Sequence, residues 1–158
     1  MSVKTYSRLE LAQHQLESAI GIFVSGGDRF SVISLAGAAD VIFSRLLITR
    51  GIENFTEFSL RNEHKQGNKI KSRESHGKEL NDTLFINHLK HMDEDDDGFI
   101  ELDPEECALA AILKAVTNFV SIAGKQHDFI QAFFVWMRLN LDPEKYNIKG
   151  SAQQQPDV

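Results

Sequence analysis

Apolar residues recur at three- and four-residue intervals along most of this chain, and that spacing restricts it to packed amphipathic helices. Leu9, Ala12, Leu16, Ala19, Ile20 and Phe23 trace one stripe over residues 6–25. Val32, Leu35, Ala36, Ala39, Ile42, Phe43 and Leu46 trace a second, ending near Arg50 and Gly51. Gly26 and Gly27 break the pattern between them, and Asp28 or Ser31 can cap the second helix. So short a junction predicts an antiparallel hairpin. A helix over 78–92 places Leu84, Phe85, His88 and Met92 on one face, with Leu89 at its flank. Asp103-Pro104-Glu105-Glu106 combines a preferred cap, a proline suited to the first helical position and acids at the positive helix end. Leu109, Ile112, Leu113, Val116, Phe119 and Val120 continue from it. After Gly124, the residues Phe129, Phe133, Phe134, Trp136 and Met137 extend an apolar helix to about Leu141.

The reading is all-α: a single-domain bundle of about five to six helices over 1–148, with a disordered C-terminal tail at 149–158. Residues 56–62 allow one or two further helical turns, and the polar stretch 65–77 reads as a mobile connection. At 158 residues the chain suits one domain with a sizeable core. No uninterrupted apolar run approaches the roughly 18 residues of a membrane span. The first ten residues carry charges and no signal-peptide core, so the expected setting is cytoplasmic, without a membrane. A single cysteine, Cys107, excludes an intrachain disulfide and a thiolate zinc cluster. A small buried helix residue explains Cys107 better than a nucleophile does.

The net charge of −6 is local. Nine acids and no Lys or Arg lie in 93–106; without them 14 acids face 17 bases, a balance of +3. Such a cluster repels itself unless a cation or a basic partner neutralises it. A basic stretch holds Arg61, Lys65, Lys69, Lys71, Arg73 and Lys78, with His64 and His76 interspersed. It lacks aromatic residues for stacking and is interrupted by Glu63 and Glu74, so it argues against nucleic-acid binding.

Within the acidic run, Asp93-Glu94-Asp95-Asp96-Asp97-Gly98-Phe99-Ile100-Glu101 resembles the first nine positions of a calcium-binding EF-hand loop. The resemblance implies side-chain oxygens from Asp93, Asp95 and Asp97, the Phe99 carbonyl, and Glu101 directly or through water, with Ca²⁺ as the implied cofactor. It departs from the pattern at position 12, where Pro104 replaces the bidentate glutamate, and no second loop is present to pair with it. His88 and His91, three apart on the expected helix, could hold a transition metal with Asp40, and His127 is a further candidate ligand.

Nucleophile turns, phosphate loops and H-E-x-x-H pairs are absent. Ser25-Gly26-Gly27-Asp28 is a helix-end turn. Arg73-x-x-His76 is similar to the Arg and His pair of helical ribonucleases of the HEPN type, with a shorter interval. Residues 8–50, from Leu11-Ala12-Gln13 through Gly27-Asp28 to Leu35-Ala36-Gly37-Ala38-Ala39, resemble small uncharacterised bacterial proteins with an amphipathic first helix and an Ala-rich second. That resemblance implies no activity or ligand.

The function expected from the sequence is a non-catalytic binding or interaction protein, a homodimer that also engages an unknown protein partner. The dimer rests on the aromatic density of 129–137 and on the small-residue stripe of the second helix. The alternatives are a calcium-binding module at 93–104 and a metal-dependent or ribonuclease-like enzyme.

Overall fold

The computed structural model describes residues 1–69, 71–84 and 86–146. Phe85 and the tail expected at 149–158 lie outside the described residues. The fold is all-α. Its six helices are α1 (Arg8–Val24), α2 (Arg29–Thr49), α3 (Phe55–Lys65), α4 (Arg73–Thr83), α5 (Pro104–Ala123) and α6 (Asp128–Asn140), and no strand occurs among the described residues. Two compact units are distinguished, Met1–Gly124 and Lys125–Val158.

In the first unit, α2 packs against both α1 and α5. Most of the stripe positions read from the sequence are buried: Leu16, Ile20 and Phe23 from α1, Val32, Ala36, Ala39 and Phe43 from α2, and Leu109, Ile112, Val116 and Phe119 from α5. On α2 the buried face is rotated from the expected one, so that Ile33 and Leu47 enter the core while Leu35, Ile42 and Leu46 are half-buried. Phe43 and Phe119 meet with ring centroids 5.3 Å apart in a tilted arrangement. By length and mean hydropathy (1.7 and 1.5), α2 and α5 would also suffice to cross a membrane. In this fold their apolar faces form the core instead.

The α1–α2 turn closes as its glycines require. Gly26 has φ of 77° and donates to the Phe23 carbonyl, and Gly27 donates to that of Ile22 at 2.8 Å. A Cβ on Gly27 would stand 2.8 Å from Ile22 Cγ2. Asp28 caps α2 by accepting from the Ser31 N–H at 2.7 Å. Arg29 then ties the turn to α5, pairing through Nε and Nη2 with both carboxylate oxygens of Glu105 and stacking over Phe23 at 4.4 Å.

The small-residue stripe of α2 is used inside the unit. Ala36, Gly37 and Ala39 are buried, and a Cβ on Gly37 would lie 2.6 Å from Ile86 Cγ2. The stripe therefore offers no face for a second copy.

Two expectations differ from the fold. The helix expected over 78–92 begins earlier, at Arg73, and ends at Thr83; residues 86–90 form turns. The connection expected over 65–77 is partly helical, because Ser72 accepts from the Ser75 N–H and starts α4. α3 and α4 pack on each other, with Asn54 and Glu57 forming a capping box at the start of α3. Their buried residues are Thr56 and His76, so this pair contributes little apolar surface to the core.

In the second unit, α6 buries Ile130 and Phe133. Phe133 stacks on Trp136, with centroids 6.1 Å apart and planes 8° from parallel.

Cys107 is buried near the start of α5. Burial, with Asp103 and Glu106 nearby, pushes its thiol above the ordinary range. Its thiolate fraction near neutral pH is therefore small. Ellman's reagent is expected to react at least about tenfold more slowly with the native protein than with the urea-unfolded chain. Equal rates would contradict a buried, protonated Cys107.

Candidate functional site

The residues singled out from the sequence are dispersed. Residues 91–101 are exposed throughout. Asp96 Oδ1 accepts from the Gly98 N–H at 2.8 Å, and Asp97 Oδ1 from the Phe99 N–H at 3.0 Å, so these carboxylates shape the loop's own turns. No continuous helix enters the loop, since α4 ends ten residues before Asp93. Pro104 opens α5, and Asp103 caps it by accepting from the Glu105 and Glu106 N–H groups. The twelfth position is therefore a helix start. Among the described residues no group of three His, Cys, Asp or Glu is placed to hold a metal ion. Asp93, Asp95, Asp97, Phe99 and Glu101 are thus not assembled into a ligand set for calcium. The same holds for His88, His91 and Asp40. The two histidines border two surface clefts, one with Met92 and Asp96 and one with Asp82 and Asp93, whereas Asp40 is buried on α2 against other partners.

Half of the lysines and arginines in the basic stretch are paired locally. Arg61 pairs with Glu53, Lys71 with Glu79, and Arg73 with Glu57. Arg73 and His76 lie on a helix, but they do not converge. The ring of His76 is 1% exposed, with Nε2 3.1 Å from Ser59 Oγ and Nδ1 3.7 Å from the Glu63 carboxylate. Arg73 instead borders a cleft on a different side of α4.

That cleft has a charged floor. Asp40 on α2 and Lys114 on α5 are 2% and 4% exposed and form a buried ion pair through Asp40 Oδ2. Asn118, one turn beyond Lys114, is 1% exposed and donates to Asp40 Oδ1 at 2.6 Å and to Ser44 Oγ at 3.1 Å. Its own carbonyl oxygen accepts from the Phe55 N–H at 2.8 Å, satisfying one of the open donors at the start of α3. Lys114 also donates to Asn81 on α4 at 3.2 Å. These bonds supply the pairing that a buried charge needs. They also fasten α3 and α4 to α2 and α5.

The cleft opens above this cluster, with a volume of about 240 Å³. Core helices line it with Asp40, Val41, Ser44, Arg45, Ile48 and Lys114; the α3–α4 side contributes Asn54, Thr56, Arg73, Glu74, Gly77 and Asn81. Asp40 was recognisable in the sequence as a polar residue beside an apolar stripe. Spacing does not single out Lys114, Asn118 or Asn81, although a lone lysine within the apolar run 107–120 is the matching signal.

The chain matches no known protein family, no curated protein and no solved structure.

Proposed function

We propose that this is a non-catalytic binding protein whose ligand occupies the cleft over Lys114 and Asp40. One observation carries this reading: a buried, mutually neutralised ion pair forms the floor of an open cleft walled by two different helix pairs. Lys114 makes two of the three hydrogen bonds that an ammonium can donate, leaving one N–H for a guest. Both oxygens of Asp40 already accept. With Lys114 and Asp40 bonded to each other, neither presents a free nucleophile or base to a guest. The arrangement favours recognition over proton transfer or covalent chemistry. The volume lies below the roughly 300–1,000 Å³ of sites for drug-sized ligands, which selects a small molecule.

The test is a panel of small anionic, neutral and cationic compounds, titrated into ¹⁵N-labelled protein. Saturable amide shifts are expected at Ser44, Asn54, Gly77 and Asn81, which lie on both walls. Shifts confined to 91–101, or none at all, would reject the cleft as the site.

A further inference from the structure

The cleft's unused donors indicate the charge of its guest. Arg45 is exposed, and its guanidinium makes no hydrogen bond or ion pair among the described residues. Arg73 uses Nη1 on Glu57 and keeps the rest of its fork. Lys114, nine-tenths buried, retains one N–H. Thr56 stands in the first turn of α3, where its N–H has no acceptor among the described residues and the helix dipole is positive. Against these stand Asp40, already compensated by Lys114 and Asn118, Glu74, and the Glu57 carboxylate that pairs with Arg73, so among the described residues Arg45 is the cleft cation without a counter-charge. In a protein of net charge −6, this cleft collects cations and open donors.

We infer that the cleft binds a small molecule bearing an oxyanion, a phosphate monoester or a carboxylate. Arg45 and Lys114 hold it from one wall, Arg73 and the Thr56 N–H from the other. The inference rests on the cleft being the binding site proposed above. Planar guanidinium forks suit both phosphate and carboxylate, and a buried ammonium strengthens either contact. Because the donors come from both walls, a bound oxyanion links α3 and α4 to the core.

Inorganic phosphate, succinate, glycerol and ethylammonium are titrated separately into the ¹⁵N-labelled protein at low salt. Phosphate or succinate is expected to shift Thr56 and Gly77 saturably, and the tighter of the two identifies the natural headgroup. Binding is expected to be about tenfold weaker in Arg45→Gln, because one charge-assisted contact is lost. Arg45 is exposed and unpaired, so this variant keeps the fold. Saturation by ethylammonium or glycerol alone would overturn the oxyanion and leave the cleft as a site. Equal anion affinity in the wild type and Arg45→Gln would also overturn it. If no titrant shifts the cleft amides, both the oxyanion and the site fail.

Discussion

Asp40→Ala is expected to lower the stability of the protein by about 3–5 kcal/mol, because it leaves Lys114 charged in the core without its counterion. Lys114 is 4% exposed, so water in the cleft reaches only a small part of it and restores little of its hydration. Lys114→Met is expected to cost a similar amount by leaving the Asp40 carboxylate with Asn118 alone. Replacing both together, as Asp40→Leu with Lys114→Met, removes the two desolvation penalties along with the attraction. The double variant is expected to recover most of the loss. Urea denaturation midpoints measure all three. A loss below about 1 kcal/mol in Asp40→Ala would mean that the pair is hydrated, as exposed pairs are, and is not part of a closed core. The double variant also separates stability from function, since it should fold and yet lack the donor that the cleft offers its guest.

The second large effect lies where residues 84–90 meet α2. Ile86 is 2% exposed and fits against Gly37 so closely that a Cβ there would sit 2.6 Å from Cγ2 and 3.3 Å from Cγ1. Ile86→Ala is expected to cost about 2–5 kcal/mol through lost burial and the cavity left behind. Gly37→Ala alone is expected to be destabilising as well. Its overpacking, about 1–3 kcal/mol, outweighs the gain of roughly 1 kcal/mol in helix propensity. In the Ile86→Ala background the clash is gone, and Gly37→Ala should become neutral or stabilising. This change of sign, read from a double-mutant cycle by thermal or urea unfolding, is specific to direct contact. Additive effects would place Ile86 elsewhere.

Much of this architecture could be read from the chain. The stripes of α1, α2 and α5 are long and regular, and most of the core they predict is observed; on α2, which is apolar nearly all round, periodicity does not distinguish Ile33 and Leu47 from the half-buried Leu35, Ile42 and Leu46. Asp103-Pro104 marked the start of α5 because cap and proline chemistry act locally. α4 was harder to read. Its sequence, Arg73 to Thr83, is polar and contains Gly77, so no apolar stripe announces it. It is helical through the Ser72 cap and its packing on α3, and the packing is a tertiary effect. The apolar residues after it suggested a continuing helix, but one of them, Ile86, is held in a turn by the space above Gly37.

The acidic run drew attention because its spacing fits a coordination pattern, whereas the cleft uses residues far apart in sequence. Asp40 is the one acid of α2 and Lys114 the one base of α5, each within a long apolar helix, and opposite charges so placed point to pairing across a core. That signal names the partners but not the cavity above them. The cavity depends on where the polar α3–α4 pair is fastened, by Asn118 at one end and Asn81 at the other.

Blocking the cleft provides the decisive comparison. A Cβ on Gly77 would meet one neighbour, Thr56 Cγ2, at an ordinary 3.5 Å, so this helical glycine tolerates a side chain. Gly77→Ala should gain up to about 1 kcal/mol in stability and keep the cleft open. Gly77→Met should fold equally well and fill the space beside Thr56. The ¹⁵N titrations are repeated on both with whichever compound saturates the wild type. The cleft account predicts wild-type affinity in Gly77→Ala and loss of binding in Gly77→Met; undiminished binding by Gly77→Met would contradict it.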